Sequence, residues 1–195
     1  MRLAVLLSGR GSNFEAIHRA NVAEIVCVVS NRPDAPGLAR ARELGLTAHV
    51  FDHRKYPTRE AHEEDVLRAI AEAEPDFIAL AGYMRLLSPA FVAAYPHRIL
   101  NIHPSLLPAF PGVDAQAQAL AYGVKVSGCT VHFVDENLDA GPIIVQHAVP
   151  VLDGDTADSL AARILEQEHL AYVDALRALG TRAWRVEGRR VVFDG

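Results

Sequence analysis

Short runs of apolar, β-branched residues alternate with longer segments of helical period, and this alternation limits the fold more than any other feature. The segment Ile25–Val29 is apolar at every position, which is typical of a strand covered on both faces. Such a strand needs helices on both sides of its sheet. The first half of the chain therefore predicts a Rossmann-like α/β fold with a mostly parallel, twisted sheet.

The predicted elements of this half alternate regularly along the chain. We expect strands at Arg2–Leu7, Glu24–Val29, Thr47–Phe51, Asp76–Ala81 and Arg98–His103. We expect helices at Asn13–Ala20, Pro36–Glu43, Arg59–Glu74 and Pro89–Ala94. Ligands of open α/β sheets bind beyond the carboxyl ends of the strands, so the residues that follow each strand are the candidates for chemistry.

The pattern changes after Gly123. Lys125–Val134 and Ile143–Val149 predict two strands with no helix between them, which indicates an antiparallel C-terminal part. Thr156–Leu179 predicts one long helix, which a glycine at position 180 is placed to end. The tail Ala183–Phe193 predicts a closing hairpin. Because the sequence contains no linker or repeat, we expect the whole chain of 195 residues to form a single domain.

The charge of the chain argues against two classes of partner. The formal net charge is −5, and the densest basic cluster is the pair Arg189-Arg190. Nucleic-acid and anionic-membrane surfaces carry denser basic patches, so we expect no nucleic acid and no membrane as partners. No apolar stretch approaches the roughly 20 residues that span a bilayer, and no signal-peptide pattern follows Met1. The sequence therefore predicts a soluble, cytoplasmic protein.

The cysteines and histidines show no metal-binding pattern. Cys27 and Cys129 both lie in apolar runs, which predicts two small, buried side chains in a reducing compartment. The nine histidines form no H-E-x-x-H pair and no cluster with cysteine. We therefore expect no metal.

A glycine-rich loop follows the first predicted strand and opens the first predicted helix. Gly9 and Gly11 allow a tight turn and a close approach of the backbone to a ligand. The segment from Ser12 to Glu15 fits a capping box, which would start the helix near Ser12. Free N–H groups and the dipole at a helix N-terminus favour a phosphate. The loop predicts a phosphate site, and a tight turn without a ligand is the alternative.

The same loop lacks the glycines of a dinucleotide fingerprint. With glycines at 9 and 11, such a site needs a third glycine at position 14, where this chain has Phe14. About 20 residues further on, where an NAD site has an acid, the chain has Asn31 and Arg32. Because an arginine there could serve a 2′-phosphate, an NADP-binding or other nucleotide-binding protein stays open as an alternative.

Polar side chains lie at and beyond the end of the fifth predicted strand. Asn101 and His103 share one face of this strand, because strand side chains alternate. An amide and an imidazole in this place can polarise a carbonyl group. Asp135, Glu136 and Asp139 fall in the loop between the next two strands, and a carboxylate that met His103 would favour its protonated form. Ordinary turn chemistry for Asp139 is the alternative.

Two further charged residues have both a functional and a structural interpretation. Arg85 lies among apolar residues just before Ser88-Pro89, which marks a helix start. An arginine there suits a pocket for a flat aromatic ligand with an anionic tail, although its apolar neighbours also suit a core. Glu168 lies well along the last helix, where the pattern alone predicts a solvated face.

Four motifs together resemble those of a known family. They are Gly11-Ser12-Asn13, the segment from Ala81 to Pro89, the segment from Asn101 to Pro108, and the turn from Leu138 to Pro142. In order and spacing they are similar to the glycinamide ribonucleotide formyltransferases, the single-domain branch of the folate-dependent formyltransferases. The resemblance covers the chain from the first strand to the last helix. It implies the formyltransferase fold, a single catalytic domain, and formyl transfer in purine synthesis.

The resemblance also implies a role for each matching residue. The catalytic residues would be Asn101, His103 and Asp139. The phosphate and ribose of the ribonucleotide would be bound by Gly11, Ser12, Asn13 and Glu168. The folate would be bound by Arg59, Met84, Arg85, Leu87, Val92 and Asn101. The implied substrates are glycinamide ribonucleotide and the co-substrate 10-formyltetrahydrofolate, and the implied assembly is a monomer or a homodimer.

This chain departs from part of the family in one loop. Some members carry a histidine shortly after the Phe-Pro-Gly turn, where this chain has Gly112, Val113 and Asp114. We therefore expect no histidine to act in this loop, and we carry over no pH-dependent loop behaviour.

Related activities remain as alternatives to this interpretation. Formyltetrahydrofolate hydrolase shares the catalytic segment but has a regulatory domain before the first strand. Methionyl-tRNA formyltransferase has a further, tRNA-binding domain after the catalytic one. Here the first strand starts at Arg2 and the sequence stops after the predicted hairpin, which favours the ribonucleotide enzyme. An NADP-binding oxidoreductase or a non-catalytic nucleotide-binding module would leave Asn101, His103 and Asp139 unexplained.

Overall fold

The computed structural model describes residues 1–194, which divide into two compact units after residue 100. The helices are α1 (Ser12–Ala20), α2 (Pro36–Glu43), α3 (Arg59–Ala73), α4 (Pro89–Ala94), α5 (Ala115–Tyr122) and α6 (Ala157–Thr181). The strands are β1 (Arg2–Leu7), β2 (Glu24–Ser30), β3 (Ala48–Val50), β4 (Phe77–Leu80), β5 (Ile99–His103), β6 (Val126–Phe133), β7 (Ile143–Pro150), β8 (Trp184–Glu187) and β9 (Arg190–Phe193). A short 3-10 helix spans His53–Lys55.

In the first unit, β1 lies inside the sheet, with strands hydrogen-bonded on both sides. The strand order is β3-β2-β1-β4-β5, and residues 99 and 100 of β5 belong to this unit. β1 pairs in parallel with β2 and β4, and β2 pairs in parallel with β3. All five side chains from Leu3 to Leu7 are buried, as expected for a strand covered on both faces. The predicted parallel sheet is therefore confirmed.

The second unit contains the antiparallel part of the sheet. Its strand order is β5-β6-β7-β9-β8. β6 pairs with β7 in antiparallel register, from Val126 opposite Pro150 to His132 opposite Ile143. β8 and β9 form the predicted hairpin, and β9 joins β7 in parallel where Arg190 meets Ile143. The prediction of a mostly parallel sheet with an antiparallel C-terminal part is confirmed.

Helix α6 packs on β6 and β7 through one apolar stripe. Leu160, Ile164 and Ala171 are fully buried and lie four and eleven residues apart, which places them on one helix face. The helix begins at a capping box, in which Thr156 and Ser159 each accept the other's backbone N–H through the side-chain oxygen.

Two predicted helix caps are wrong, for local backbone reasons. The first helix has no capping box, because the chain turns through Gly11 at a φ of 77° and no side chain caps the helix. Ser12 is consequently already helical. The last helix continues through Gly180 to Thr181, and the backbone N–H of Arg182 still donates to Ala178. Residue type alone therefore does not fix where either helix begins or ends.

Helix α5 was not predicted. Its sequence alternates alanine with glutamine and leucine, and only Ala115 and Ala119 are buried, so its apolar periodicity is weak. The helix ends at Gly123, whose φ of 85° suits a left-handed C-cap. Its position directly after the loop that follows β5 gives this loop a folded anchor.

Both cysteines lie in the interior, as predicted. Cys27 and Cys129 have no accessible surface. Burial raises the pKa of Cys27 to about 11 and that of Cys129 to about 12. Both side chains therefore remain thiols at neutral pH and pack as small apolar groups. Within residues 1–194, no helix is both long enough and apolar enough to cross a membrane.

The turn before α6 is organised by one carboxylate. Asp155 accepts hydrogen bonds from both terminal nitrogens of Arg163 at 2.7 and 2.8 Å. It also accepts from the backbone N–H of Leu152 and from the hydroxyl of Ser159, each at 2.8 Å. The hydrogen bond from Arg163 lowers the pKa of Asp155 most, and the Leu152 N–H lowers it further. The side chain of Asp155 is only 3% exposed.

We predict that Asp155→Asn lowers the melting temperature at pH 7. Because the pKa of Asp155 is depressed in the folded state, its stabilisation is present above the unfolded-state pKa near ~3.9 and is lost as the pH falls towards the folded-state pKa. The difference in melting temperature from wild type should therefore be smaller at pH 3 than at pH 7, as measured by thermal circular dichroism.

The matched control is Asp153→Asn. Asp153 pairs with Lys125 at 2.7 Å, but the two side chains are 92% and 76% exposed, and such surface pairs contribute little. Its melting temperature should stay near that of wild type. Equal losses in the two variants, or a difference that does not shrink at pH 3, would contradict the account.

Candidate active site

His103 and Asp139 form a buried pair in the second unit. His103 ends β5, and its Nδ1 lies 3.3 Å from Oδ2 of Asp139, with the two side chains 6% and 7% exposed. Of the three carboxylates in the loop after β6, the structure brings Asp139 to the histidine. Asp135 instead accepts the backbone N–H of Asn137 at 2.8 Å. The pair places a negative charge beside an imidazole in a setting that excludes most water.

The second nitrogen of His103 also contacts an oxygen. Nε2 lies 2.8 Å from the backbone carbonyl oxygen of Phe110. A carboxylate and a carbonyl oxygen can only accept hydrogen bonds, so this arrangement suits an imidazolium ring with a proton on each nitrogen. The ring is therefore placed to donate a hydrogen bond to a carbonyl oxygen while a carboxylate balances its charge.

The turn that carries Asp139 depends on a nearby glycine. Asp139 has a φ of 50°, and its Oδ2 also accepts the backbone N–H of Gly112 at 2.8 Å. A Cβ atom at Gly141 would overlap the carbonyl oxygen of Phe133. Only glycine therefore lets the turn pack this closely against the end of β6, which fixes the direction from which Asp139 reaches His103.

His132 is a site residue that sequence reasoning missed. It lies on β6 and is 2% exposed, and its Nε2 is 3.4 Å from Nδ2 of Asn101 and 3.9 Å from Oδ1 of Asp139. Burial lowers the pKa of His132, which favours the neutral ring. Nδ1 then donates to the carbonyl of Phe133 at 2.9 Å, and Nε2 accepts from the amide of Asn101. His132 thereby fixes the orientation of that amide.

Thr130, also on β6, holds the segment that follows His103. Its hydroxyl donates to the carbonyl of Ser105 at 2.7 Å and accepts from the backbone N–H of Leu107 at 3.0 Å. The amide of Gln146 adds a third contact at 3.0 Å. Thr130 and His132 are the polar positions of an otherwise apolar strand end, two residues apart on one face. This alternation of polar and apolar residues is visible in the sequence and could have identified both residues as candidates.

Glu168 is half-buried on α6, and the structure contradicts the solvated face that its pattern predicted. It lies four residues after Ile164 and four before Tyr172, both buried, so it falls on the apolar stripe of the helix. After burial, the charge of Glu168 is the next cause that raises the pKa of Cys129 on β6. The carboxylate therefore lies on the sheet side of the helix, and its role in ribose binding stays a prediction.

In the first unit, the glycine loop after β1 has the geometry of an anion site. Gly11 has a φ of 77°, and a Cβ there would lie 3.0 Å from Cα of Gly37. Ser12 and Asn13 begin α1, and its first backbone hydrogen bond runs from Glu15 to Gly11. The N–H groups of the first helical turn have no partner within the helix, so they favour an anion.

Five of the six residues implied for folate binding lie in the first unit, at the start of α3 and between Met84 and Val92, whereas Asn101 belongs to the second unit. Met84 is 78% exposed, Arg85 and Leu87 are half-buried, and Val92 on α4 is only 8% exposed. Arg59 is the first residue of α3, and its guanidinium lies 3.6 Å from the carboxylate of Glu60. The structure thus offers an exposed thioether and two arginines, and it leaves little of Val92 exposed.

Ser8, in the first unit, is another residue that sequence reasoning did not single out. Its hydroxyl donates to Oδ1 of Asn31 at 2.6 Å and accepts the backbone N–H of Met84 at 2.8 Å. Its own N–H donates to the carbonyl of Gly82 at 3.0 Å. Ser8 therefore ties the glycine loop to the segment that contains Met84 and Arg85.

Residues 1–194 contain no group of three or more histidine, cysteine or acidic side chains placed to hold a metal ion.

Comparison with known proteins identifies the family of this chain. Residues 1–176 match the family described as Formyl transferase. The chain belongs to the formyl transferase family.

Relatives within the formyl transferase family match almost the whole chain. Phosphoribosylglycinamide formyltransferase of Escherichia coli (strain K12) is 43% identical over 194 residues, which are 97% of this chain and 89% of the relative. The trifunctional purine biosynthetic protein adenosine-3 of Drosophila pseudoobscura pseudoobscura is 47% identical over 191 residues. That match covers 94% of this chain, which spans only 14% of the length of the trifunctional protein.

A solved structure shows the same formyl transferase fold. Glycinamide ribonucleotide transformylase 1 from Symbiobacterium toebii superposes with a TM-score of 0.95 at 48% identity. The superposition covers 99% of this chain and 93% of that chain. The fold inferred from the sequence resemblance is therefore confirmed.

We predict that Gly141→Ala destabilises this formyl transferase by about 1–3 kcal/mol, the usual cost of overpacking, because the new methyl group meets the Phe133 carbonyl. Urea denaturation would measure the change. Gly154→Ala is the control, since a Cβ at Gly154 has no atom within 4 Å, and it should change the free energy of unfolding by less than about 0.5 kcal/mol. Equal stability of the two variants would contradict the close packing of the Asp139 turn.

Proposed function

We propose that this chain transfers the formyl group of 10-formyltetrahydrofolate to the amine of glycinamide ribonucleotide. The products are formylglycinamide ribonucleotide and tetrahydrofolate, in the cytoplasmic synthesis of purines. The observation that carries the proposal is the buried His103, which lies between the carboxylate of Asp139 and a carbonyl oxygen. The Escherichia coli relative is a phosphoribosylglycinamide formyltransferase and the Symbiobacterium toebii protein a glycinamide ribonucleotide transformylase, and both names support this substrate. The hydrolase alternative has less support, because these relatives are transferases.

The proposed chemistry is direct acyl transfer. The amine of the ribonucleotide attacks the formyl carbon, and the carbonyl oxygen of the formyl group becomes negatively charged in a tetrahedral intermediate. His103 Nε2–H donates to this oxygen, which takes the position that the Phe110 carbonyl has in this structure. The amide of Asn101, oriented by His132, supplies a second donor. Such preorganised donors are each typically worth about 3–4 kcal/mol of the barrier.

Asp139 has two tasks in this proposal. Its charge stabilises the protonated ring of His103, which must remain a donor while the negative oxygen develops. The carboxylate can also help to move a proton from the attacking amine to the leaving nitrogen of the folate. No covalent enzyme intermediate is required, since the amine of the substrate is itself the nucleophile.

The remaining residues bind and orient the two small-molecule substrates. The N–H groups of Gly11, Ser12 and Asn13 bind the phosphate of the ribonucleotide, and Glu168 binds hydroxyl groups of its ribose. The folate is bound by Arg59, Met84, Arg85, Leu87, Val92 and Asn101. Positioning of this kind supplies a large part of the rate of a two-substrate transfer. The active form is a monomer or a homodimer.

We predict that Asn101→Ala and Asp139→Asn each lower kcat by about 100- to 1,000-fold, because each loses a donor or its supporting charge in the transition state. His103→Ala should lose at least as much. The assay follows the deformylation of 10-formyl-5,8-dideazafolate by absorbance in the presence of glycinamide ribonucleotide. Asp135→Asn is the matched control, since Asp135 lies in the same loop but serves a local turn, and its kcat should change less than about threefold. Turnover within a few-fold of wild type in Asn101→Ala or Asp139→Asn would overturn the proposed roles.

We also predict that Gly11→Ala raises the KM for the ribonucleotide by about tenfold or more. The new side chain is strained at a φ of 77° and meets Gly37, and left-handed strain alone is typically about 1–2 kcal/mol. Gly9→Ala is the control in the same loop, because a Cβ there meets no atom within 4 Å. Steady-state kinetics should show a smaller effect in Gly9→Ala, and equal KM values in the two variants would contradict a phosphate site that depends on Gly11.

A further inference from the structure

One buried carboxylate of the first unit has no role in the proposal above. Glu63 lies on the buried side of α3 and is 5% exposed. Its Oε1 accepts the backbone N–H of Ser88 at 2.9 Å. Within residues 1–194, no Lys, Arg or His nitrogen lies within 4.0 Å of this carboxylate. Burial of a carboxylate without a paired cation is unfavourable. We therefore expect the hydrogen bond from Ser88 to Glu63 to have a specific purpose.

Ser88 is the residue at which the segment of Met84 and Arg85 enters α4. Its hydroxyl accepts the backbone N–H of Phe91 at 3.1 Å, and this contact caps the helix. The hydroxyl group of Ser88 is thus occupied by the helix cap. Its backbone N–H makes a separate hydrogen bond, which Glu63 accepts. Ser88 is 4% exposed, so water contributes little to either contact. The end of the segment is fixed by a helix cap on one side and by a buried carboxylate on the other.

The start of the same segment is anchored independently. Ser8 binds the carbonyl of Gly82 and the N–H of Met84. Residues 85–87 therefore lie between two fixed points, and Arg85 and Leu87 belong to this stretch. The position of their side chains depends on both anchors.

The charges of Glu63 and Arg85 act on the same two rings. Burial lowers the pKa of His62, and the charges of Arg85 and Glu63 then shift it in opposite directions. Burial also raises the pKa of Tyr83, where Arg85 opposes the shift and Glu63 adds to it. Both charges therefore act on these two rings, and within residues 1–194 no ion pair with Glu63 neutralises the arginine.

We infer that Glu63 is a positioning residue for folate binding. By holding the N–H of Ser88, it fixes the conformation of residues 84–88 and so the placement of Arg85 and Leu87. The contact acts through a hydrogen bond to an oxygen acceptor, and the arginine is left available to a ligand. This inference rests on the proposed function, because it is that proposal which assigns Arg85 and Leu87 to the folate.

The test compares two substitutions of similar size at this position. Glu63→Leu keeps apolar bulk but removes the acceptor, whereas Glu63→Gln keeps an amide oxygen at the same reach. We expect Glu63→Leu to raise the KM for 10-formyl-5,8-dideazafolate about tenfold, with the KM for the ribonucleotide and kcat changed less than about threefold. Glu63→Gln should stay within about twofold of wild type in all three quantities.

Each outcome decides the inference. An unchanged folate KM in Glu63→Leu would overturn it, and so would a Glu63→Gln variant as impaired as Glu63→Leu. Equal changes in both KM values and in kcat would show a general structural role and would also overturn it. Thermal melts check folding, and Glu63→Ala replaces Glu63→Leu if the latter does not fold. If neither folds while Glu63→Gln does, the inference is wrong.

The proposed function fails in a different way. A wild-type chain that does not transfer the formyl group would overturn the proposed function itself. An active wild type with an unchanged folate KM in Glu63→Leu would overturn only the role of Glu63.

Discussion

The formyl transfer proposed for this protein depends on a contact between one imidazole and one carboxylate that are both shielded from water. His103 and Asp139 each have less than a tenth of their side chain exposed, so their contact lies in a medium far less screening than water. A buried carboxylate without a partner would be unfavourable there, and the imidazole supplies that partner. The second unit supplies the geometry of the pair. β5 ends at the histidine, and the turn before Gly141 directs the aspartate at it from the end of β6.

Around this pair, the second unit fixes groups that would otherwise rotate. His132 binds the amide of Asn101, and Thr130 binds the backbone on both sides of Leu106. Neither residue is required to react. Their hydrogen bonds hold the Asn101 amide and the backbone around Leu106 in one arrangement in the absence of a substrate. Such preorganised groups are the ones that stabilise a developing charge effectively. Ser8 and Glu63 give the first unit a comparable arrangement around the segment that contains Arg85.

Much of the fold was predictable from the sequence, because the buried strands are continuous apolar runs. Ile25–Val29 and the run from Leu3 to Leu7 indicate strands without knowledge of their neighbours. Helix α5 was not predictable by the same argument, since it buries little more than alanine side chains. The predicted cap of α1 was wrong because Ser12 and Glu15 fit a capping box by residue type alone. The backbone conformation of Gly11, which decides the cap, is not visible in a pattern.

The candidate residues of the site could be predicted from the sequence, but which of them are in contact could not. Strand alternation placed Asn101 and His103 on one face, but spacing alone left Asp135, Glu136 and Asp139 equal as partners, because three-dimensional proximity decides between them. Two signals were present in the sequence and went unused. His132 is a polar residue within an apolar strand, and Glu168 continues the four-residue spacing of a buried stripe.

The measurement that tests the central claim most directly is the deformylation of 10-formyl-5,8-dideazafolate by the wild-type protein with and without glycinamide ribonucleotide. The account predicts that deformylation requires the ribonucleotide and that one formylated ribonucleotide appears for each folate consumed. Deformylation without the ribonucleotide, with release of formate, would contradict it and indicate water as the acceptor. Absence of any reaction would contradict formyl transfer altogether.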